Sequence, residues 1–382
     1  MKKPISIIPV LLLWLAIGTS LLSLAGCNAE RPAADKDSTA TDTDTTAHIT
    51  LLFAGDLMQH ITQINAARVA GDKYDYTDCF ALVRPLIEEA DIAIGNFEVT
   101  LGGKPYRGYP CFSAPDDYVL AIRDAGFDVL LTANNHCLDS GRKGLERTIR
   151  MLDSLRIPHC GTYTTPEARQ KDYPLLIEKK GFRLALLNYT YGTNGLVVKA
   201  PNVVNYIDTA VIARDIVAAQ AMQPDAIICC IHWGQEYQTR QNREQEQLAD
   251  WLLAHGVTHI IGSHPHVVQP IEVRGTEATG RHLVVYSLGN FLSNMNKKHC
   301  DGGLMVTLEL EKDSVTRMKD ASYELVWVSR PIVSHKKVHR LVPTSYPDSL
   351  LNAGERRLRH IFYEATRENL RQHNKGISER GF

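Results

Sequence analysis

The sequence predicts a layered α/β sandwich, and three observations predict it. Short apolar runs rich in Val, Ile and Leu alternate with longer stretches of helical apolar spacing over the first two thirds of the chain. The last third changes character, with strand-like runs at Leu283–Ser287, Leu304–Leu310 and Tyr323–Val328 and no helices between them, which reads as antiparallel neighbours. Five of the apolar runs also end on residues able to hold a metal, as expected where ligands gather outside the carboxyl ends of strands. Alternation followed by strand pairs gives sheets packed face to face with helices outside.

The five runs are Leu51–Gly55 ending on Asp56, Ile92–Gly95 on Asn96, Val129–Ala133 on Asn134-Asn135-His136, Ala226–Ile231 on His232, and Ile260–Gly262 on Ser263-His264. Helices are expected over Ala81–Glu89, Asp116–Ala125, Arg142–Leu155, Ala210–Ala221 and Gln241–Ala254. Gly126, Gly181 and Gly256 mark helix-to-strand turns. From Ser349 to Asn374, Leu351, Leu358, Ile361, Phe362, Ala365 and Leu370 form one apolar stripe on a helix that should pack on the domain or a partner.

With 382 residues, 44% hydrophobic and 22% charged, the chain can bury a sizeable core. A net charge of -1 gives no field to attract nucleic acid, so that partner is excluded. Lys2 and Lys3, the apolar stretch from Ile5 to Leu22 and Leu24-Ala25-Gly26-Cys27 read as a leader at 1–26 with small residues before a lipid-bearing Cys27. An uncleaved anchor helix is the alternative, and both place the body outside the cytoplasm. Residues 27–47 lack large apolar side chains and read as a tether. The folded domain is expected at 48–343, with a helical tail at 344–382. Eight cysteines show no CxxC spacing, which argues against a cysteine zinc site.

The chemistry concentrates at the run ends. Gly55 lets the chain turn so that the Asp56 carboxylate, a hard oxygen ligand, points into a cleft. Asn96 and Glu98 flank Phe97 and face one way if the chain stays extended, so either could ligate. In Asn134-Asn135-His136 the amides offer neutral ligands and hydrogen-bond donors, while His136 offers a proton shuttle that Asp139 could orient. His232 arrives on a buried strand beside the large ring of Trp233. His264 and His266, separated by Pro265, share one side of an extended segment, a geometry suited to metal or phosphate. Asn290, in Tyr286-Ser287-Leu288-Gly289-Asn290-Phe291, would line the cleft rather than touch a metal.

Together, Gly55-Asp56-Leu57-Met58, Asn96-Phe97-Glu98, Ala133-Asn134-Asn135-His136, His232-Trp233-Gly234-Gln235-Glu236-Tyr237, Gly262-Ser263-His264-Pro265-His266-Val267 and Tyr286–Phe291 resemble, in this order, the poly-γ-glutamate capsule biosynthesis family CapA. That family is similar to calcineurin-like metallophosphoesterases. The resemblance implies a four-layer α-β-β-α sandwich with one or two divalent ions (Mn, Zn or Fe). It implies Asp56, Asn135, His232, His264 and His266 as ligands and His136 as the catalytic histidine, to which the residue reading adds Asn96 and Glu98 as candidate ligands and Asp139 as partner of His136. Asn134, Trp233, Glu236 and Asn290 fall on the substrate side. Two departures stand out: Met58 occupies the place of a ligand histidine, and Asn96 lies near that of a bridging aspartate. A thioether suits a hard cation poorly, and an amide lacks the charge to bridge.

Two functions follow as expectations. One is a lipid-anchored hydrolase cleaving a phosphoester or related envelope bond. The other is a non-catalytic component that binds or exports a capsule polymer such as poly-γ-glutamate, beside other capsule-assembly proteins.

Overall fold

The computed structural model describes residues 46–333 and 335–380. The expected leader, Cys27 and the tether up to residue 45 lie outside the described residues. The first sheet runs in the order Arg340–Pro343, Thr316–Ser329, Gly302–Lys312, Ala47–Leu57, Ile92–Asn96, Val129–Leu131, His159–Cys160. The second runs Ile271–Thr276, Gly280–Val285, His259–Ser263, Ala226–His232, Phe182–Thr190, Leu175–Lys179.

Side-chain alternation along the strands builds the layers. In Ala47–Leu57, Leu51 and Phe53 enter the core shared with the second sheet, whereas Leu52 and Ala54 enter a second core under the outer helices. Ile92 and Ile94 against Ala93, and Val129 and Leu131 against Leu130, repeat the division. The helix Asp116–Asp124 covers the outer face of the first sheet with Tyr118, Val119 and Ile122. Thr209–Ala221 and Arg243–Ala254 add Ile212, Ile216, Ala249 and Leu252 to the core of the second sheet. Helix, sheet, sheet, helix is the expected four-layer order. Local signals set the helix starts: Asp208 accepts from the Ala210 and Val211 amides, and Asn242 and Gln245 cap each other reciprocally.

Four expectations need correction. Gly302–Lys312 and Thr316–Ser329 pair antiparallel, but Gly280–Val285 lies in the other sheet, parallel to His259–Ser263. The helix expected over Ala81–Glu89 is shorter, Arg84–Glu88, because the chain breaks into a turn after the four-residue helix Thr77–Phe80. Gly181, at φ +80°, makes the tight turn of the hairpin Leu175–Lys179/Phe182–Thr190 and follows no helix.

In the C-terminal helix Ala353–His373 the stripe is rotated: Phe362, Tyr363, Thr366 and Leu370 are buried together with Arg359, while Leu358 and Ile361 are 48% and 56% exposed. Arg359 reaches the Tyr346 carbonyl and Asp348, so its long apolar stem can be covered while its charge is satisfied. The residues after this helix join both sheets. The Val273 amide donates to the Lys375 carbonyl in the second sheet, and Ser378–Glu379 pairs with Thr316–Ser329 in the first. The described residues form one compact unit. Among the described residues no helix is long and apolar enough to cross a membrane.

Candidate metal centre

Parallel strands at the middle of each sheet point their carboxyl ends at one cleft. Asp56 comes from Ala47–Leu57 and Asn96 closes Ile92–Asn96 beside it. His232 closes Ala226–His232 in the facing sheet, with Ser263 next to it in register. Asp56, Glu98 and His232 are fully or almost fully buried, and one ligand atom of each lies within 4.8 Å of the others. Asn135 Oδ1 is 2.7 Å from His232 Nε2, which is 3.7 Å from Glu98 Oε1. His264 packs on His232 at 4.8 Å between ring centroids, and His266 Nδ1 is 3.2 Å from Asp56 Oδ2. The structure therefore brings Asp56, Asn96, Glu98, Asn135, His232, His264 and His266 together from five chain segments.

The backbone around the paired histidines departs from the extended segment expected. His264 and His266 have φ of +104° and +59°, left-handed conformations that an L-residue adopts at a cost of about 1–2 kcal/mol each. The Tyr237 amide, itself at φ +67°, donates to the Pro265 carbonyl and ties this bend to the segment after His232. Both rings still face the cleft because the bend, rather than strand alternation, aims them.

Burial and mutual repulsion set the electrostatics. Desolvation, followed by the nearby Asp56 carboxylate, pushes the Glu98 pKa well above the carboxylate range, and Glu98 Oε1 has no hydrogen-bond partner. Burial, then the neighbouring histidines, holds His232 well below its ordinary value. His264 is brought down to about 4 by burial first and His266 second, and its Nδ1 is also unpartnered. A cluster of neutral imidazoles beside two carboxylates that resist joint ionisation is the donor chemistry of a divalent cation, whose charge would relieve the repulsion.

The remaining expected residues divide. His136 Nδ1 meets Asp139 Oδ2 at 2.7 Å, the same oxygen accepts from the Phe112 amide at 2.7 Å, and the Phe112 ring packs against His136 at 4.6 Å. Asn96, expected as a ligand, acts as a hydrogen-bond donor between the carboxylates. Its Nδ2 faces Asp56 Oδ1 at 2.8 Å and Glu98 Oε2 at 3.4 Å, the only amide orientation that avoids oxygen against carboxylate. Asn134 holds the loop, donating to the Phe97 carbonyl and accepting from the His136 amide.

The Trp233 ring lies in the core with the indole N–H on the Tyr286 carbonyl at 2.9 Å. Glu236 is exposed near the cleft and Asn290 is fully buried beside His266. Tyr191, not foreseen, supplies the aromatic wall, 4.4 Å from the His264 ring; it follows the strand Phe182–Thr190, so the strand-end rule could have found it. Asn194, at φ +52° in a loop, reaches Asn135 at 3.1 Å and carries no comparable signal.

These features define a layered α/β protein with a candidate metal centre between its two sheets. Residues 50–295 match the family model described as bacterial capsule synthesis protein PGA_cap, and the chain belongs to that family. It is 27% identical over 287 residues to the capsule biosynthesis protein CapA of Bacillus anthracis, covering 71% of this chain and 66% of the relative. It is 27% identical over 292 residues to the PGA biosynthesis protein CapA of Bacillus subtilis (strain 168), covering 70% and 69%. The chain thus spans about two thirds of the length of these relatives. Among solved structures it is similar to the NAD nucleotidase of Haemophilus influenzae, with TM-score 0.47, 12% identity and coverage of 87% and 64%. A 5'-nucleotidase from Staphylococcus aureus gives TM-score 0.45 and 13% identity, with coverage of 83% and 58%.

Proposed function

We propose that this chain is a divalent-metal-dependent hydrolase of the bacterial envelope, anchored by lipid on Cys27 and cleaving a phosphoester or related bond of an envelope or capsule polymer. The observation that carries the reading is the convergence of Asp56, Glu98 and His232 within 4.8 Å, with a buried Glu98 oxygen that no protein donor satisfies. Asp56, Glu98, Asn135, His232, His264 and His266 would hold the cation, which when bound supplies Lewis-acid polarisation of the scissile group.

The protein's own groups do the rest. Asp139 accepts from His136 Nδ1, which leaves Nε2, 4.0 Å from Glu98 Oε1, as the atom that takes up or delivers a proton at the cleft. Tyr191 walls the cleft and shields the histidines from water. The test is elemental analysis of the purified protein together with metal-stimulated cleavage of phosphoester substrates. Protein without Mn, Zn or Fe and without such cleavage would overturn the proposal.

A second reading is favoured by two observations: Met58 is buried in the outer apolar core, and the Asn96 amide stands between the carboxylates. On this reading the cleft binds or passes on a polymer without cleaving it. Replacing His136 with Ala separates the two, since a binding role survives the loss of the proton-transferring atom and a hydrolytic one does not.

A further inference from the structure

We infer that Asn290 is a metal ligand, forming with Asp56 and His266 a second donor set that adjoins the one at Glu98 and His232. The inference rests on the metal-centre reading proposed above and adds to it a residue and a position. Asn290 and Asp56 lie side by side in parallel register on neighbouring strands, and the Asp56 amide donates to the Gly289 carbonyl at 3.1 Å. Both side chains are fully buried, so neither is drawn toward solvent.

His266 Nδ1 is 3.2 Å from Asp56 Oδ2 and 3.1 Å from Asn290 Oδ1. A ring nitrogen carries one proton or one lone pair, so at best it divides a single hydrogen bond between two facing oxygens. A cation satisfies both, and donors at about 2.1 Å from one ion stand about 3 Å apart at ordinary coordination angles.

The Asn290 amide cannot escape by turning over. Its Nδ2 donates to the Cys300 carbonyl at 2.9 Å, and a carbonyl can only accept, so Oδ1 is held toward His266. Two residues beyond Asp56, Met58 is buried among apolar side chains and adds no hard donor, which leaves Asn290 as the neutral oxygen that completes the set.

The experiment is Mn²⁺ binding to the full chain by equilibrium dialysis with elemental counting, together with Mn²⁺ EPR. The wild-type protein is expected to bind two ions that share Asp56 and show exchange coupling. Asn290→Ala is expected to bind one ion, with affinity for the second falling at least about 100-fold and the coupling lost. Asn290→Asp guards against a structural explanation. It loses the donor to Cys300, as Ala does, but keeps an oxygen facing His266, so it is expected to retain both ions. Two ions in Asn290→Ala at unchanged affinity, one ion in the wild type, or equal loss in the Ala and Asp variants would overturn the inference while leaving a metal centre intact. Wild-type protein that binds no ion would instead remove the reading on which the inference rests.

Discussion

A Cβ on Gly55 would stand 1.9 Å from the carbonyl oxygen of Gly289, so these two glycines let neighbouring strands approach closely enough to set Asp56 beside Asn290. The contact is with backbone, which has no flexible end to swing aside. Gly55→Ala must therefore separate the strands, lowering stability by about 1–3 kcal/mol and displacing the Asp56 carboxylate. Thermal unfolding and Mn²⁺ binding should both report the change. Gly181→Ala is the control, because its added methyl meets nothing within 4 Å and only the left-handed backbone costs, about 1 kcal/mol. Equal Mn²⁺ affinity in Gly55→Ala and wild type would contradict the account.

Glu98 sets stability against ligation. Its raised pKa means that, without a cation, the folded state holds this proton above the pH at which the unfolded chain releases it. The contribution of Glu98 to the stability of the metal-free protein therefore falls as pH rises above about 4.5. Glu98→Gln removes the charge and should stabilise the chelator-treated protein at pH 7 by about 1–3 kcal/mol, with little difference near pH 4. Added Mn²⁺ should reverse the order, because the wild type gains binding energy that the variant lacks. Melting curves of both proteins in EDTA and in Mn²⁺ decide it, and a less stable Glu98→Gln in EDTA would count against the mechanism.

How much of this was legible in the sequence depends on the physical signal each residue leaves. Asp56, Asn96 and His232 were readable because apolar runs announce buried strands, and residues at their ends must emerge at one edge of a parallel sheet. The direction of the Asn96 amide was not readable, since it depends on carboxylates up to 40 positions away. The bend at His264 and His266 escaped because Pro265 argues for extension, whereas the bend is held by tertiary contacts such as the bond from the Tyr237 amide to the Pro265 carbonyl. The separation of Gly280–Val285 from Gly302–Lys312 escaped for a similar reason: periodicity identifies strands but is silent about which sheet they join. Arg359 shows a further limit, because a buried cation on a helix face looks polar until its partners are known.

Acid should weaken the fold through histidines remote from the metal ligands. His259 is buried, its Nδ1 accepts from the Leu283 amide at 3.0 Å, and burial brings its pKa down to about 3. His339 is likewise brought down to about 3, by burial first and Arg330 second. Between pH 6.5 and about 3 the unfolded chain binds these protons and the folded chain does not, so stability declines as pH falls through that window. The slope approaches about 1.4 kcal/mol per pH unit for each histidine. Urea midpoints in EDTA at pH 7.5, 5.5 and 4.5 should fall in that order, and His259→Gln should flatten the decline. Using the Glu98→Gln background removes the carboxylate that acts in the opposite direction. Midpoints independent of pH over this range would refute the prediction.

His136 and Asp139 make the sharpest separation between chemistry and scaffolding, because neither belongs to the trio Asp56, Glu98 and His232. His136→Ala removes the atom that would carry the proton and should reduce cleavage by about 10²–10⁴-fold while leaving bound metal unchanged. Asp139→Asn is subtler: the new amide can still accept from Phe112 or from His136, but it no longer offers a charged oxygen that serves both at 2.7 Å. It should lower kcat more than it alters KM, since the ring is misoriented for transfer rather than removed from the cleft. Turnover measured beside elemental counting on each variant checks this. Full cleavage by His136→Ala at normal metal content would leave the imidazole without a catalytic part, whereas loss of metal from either variant would show that the pair acts through the ligands instead.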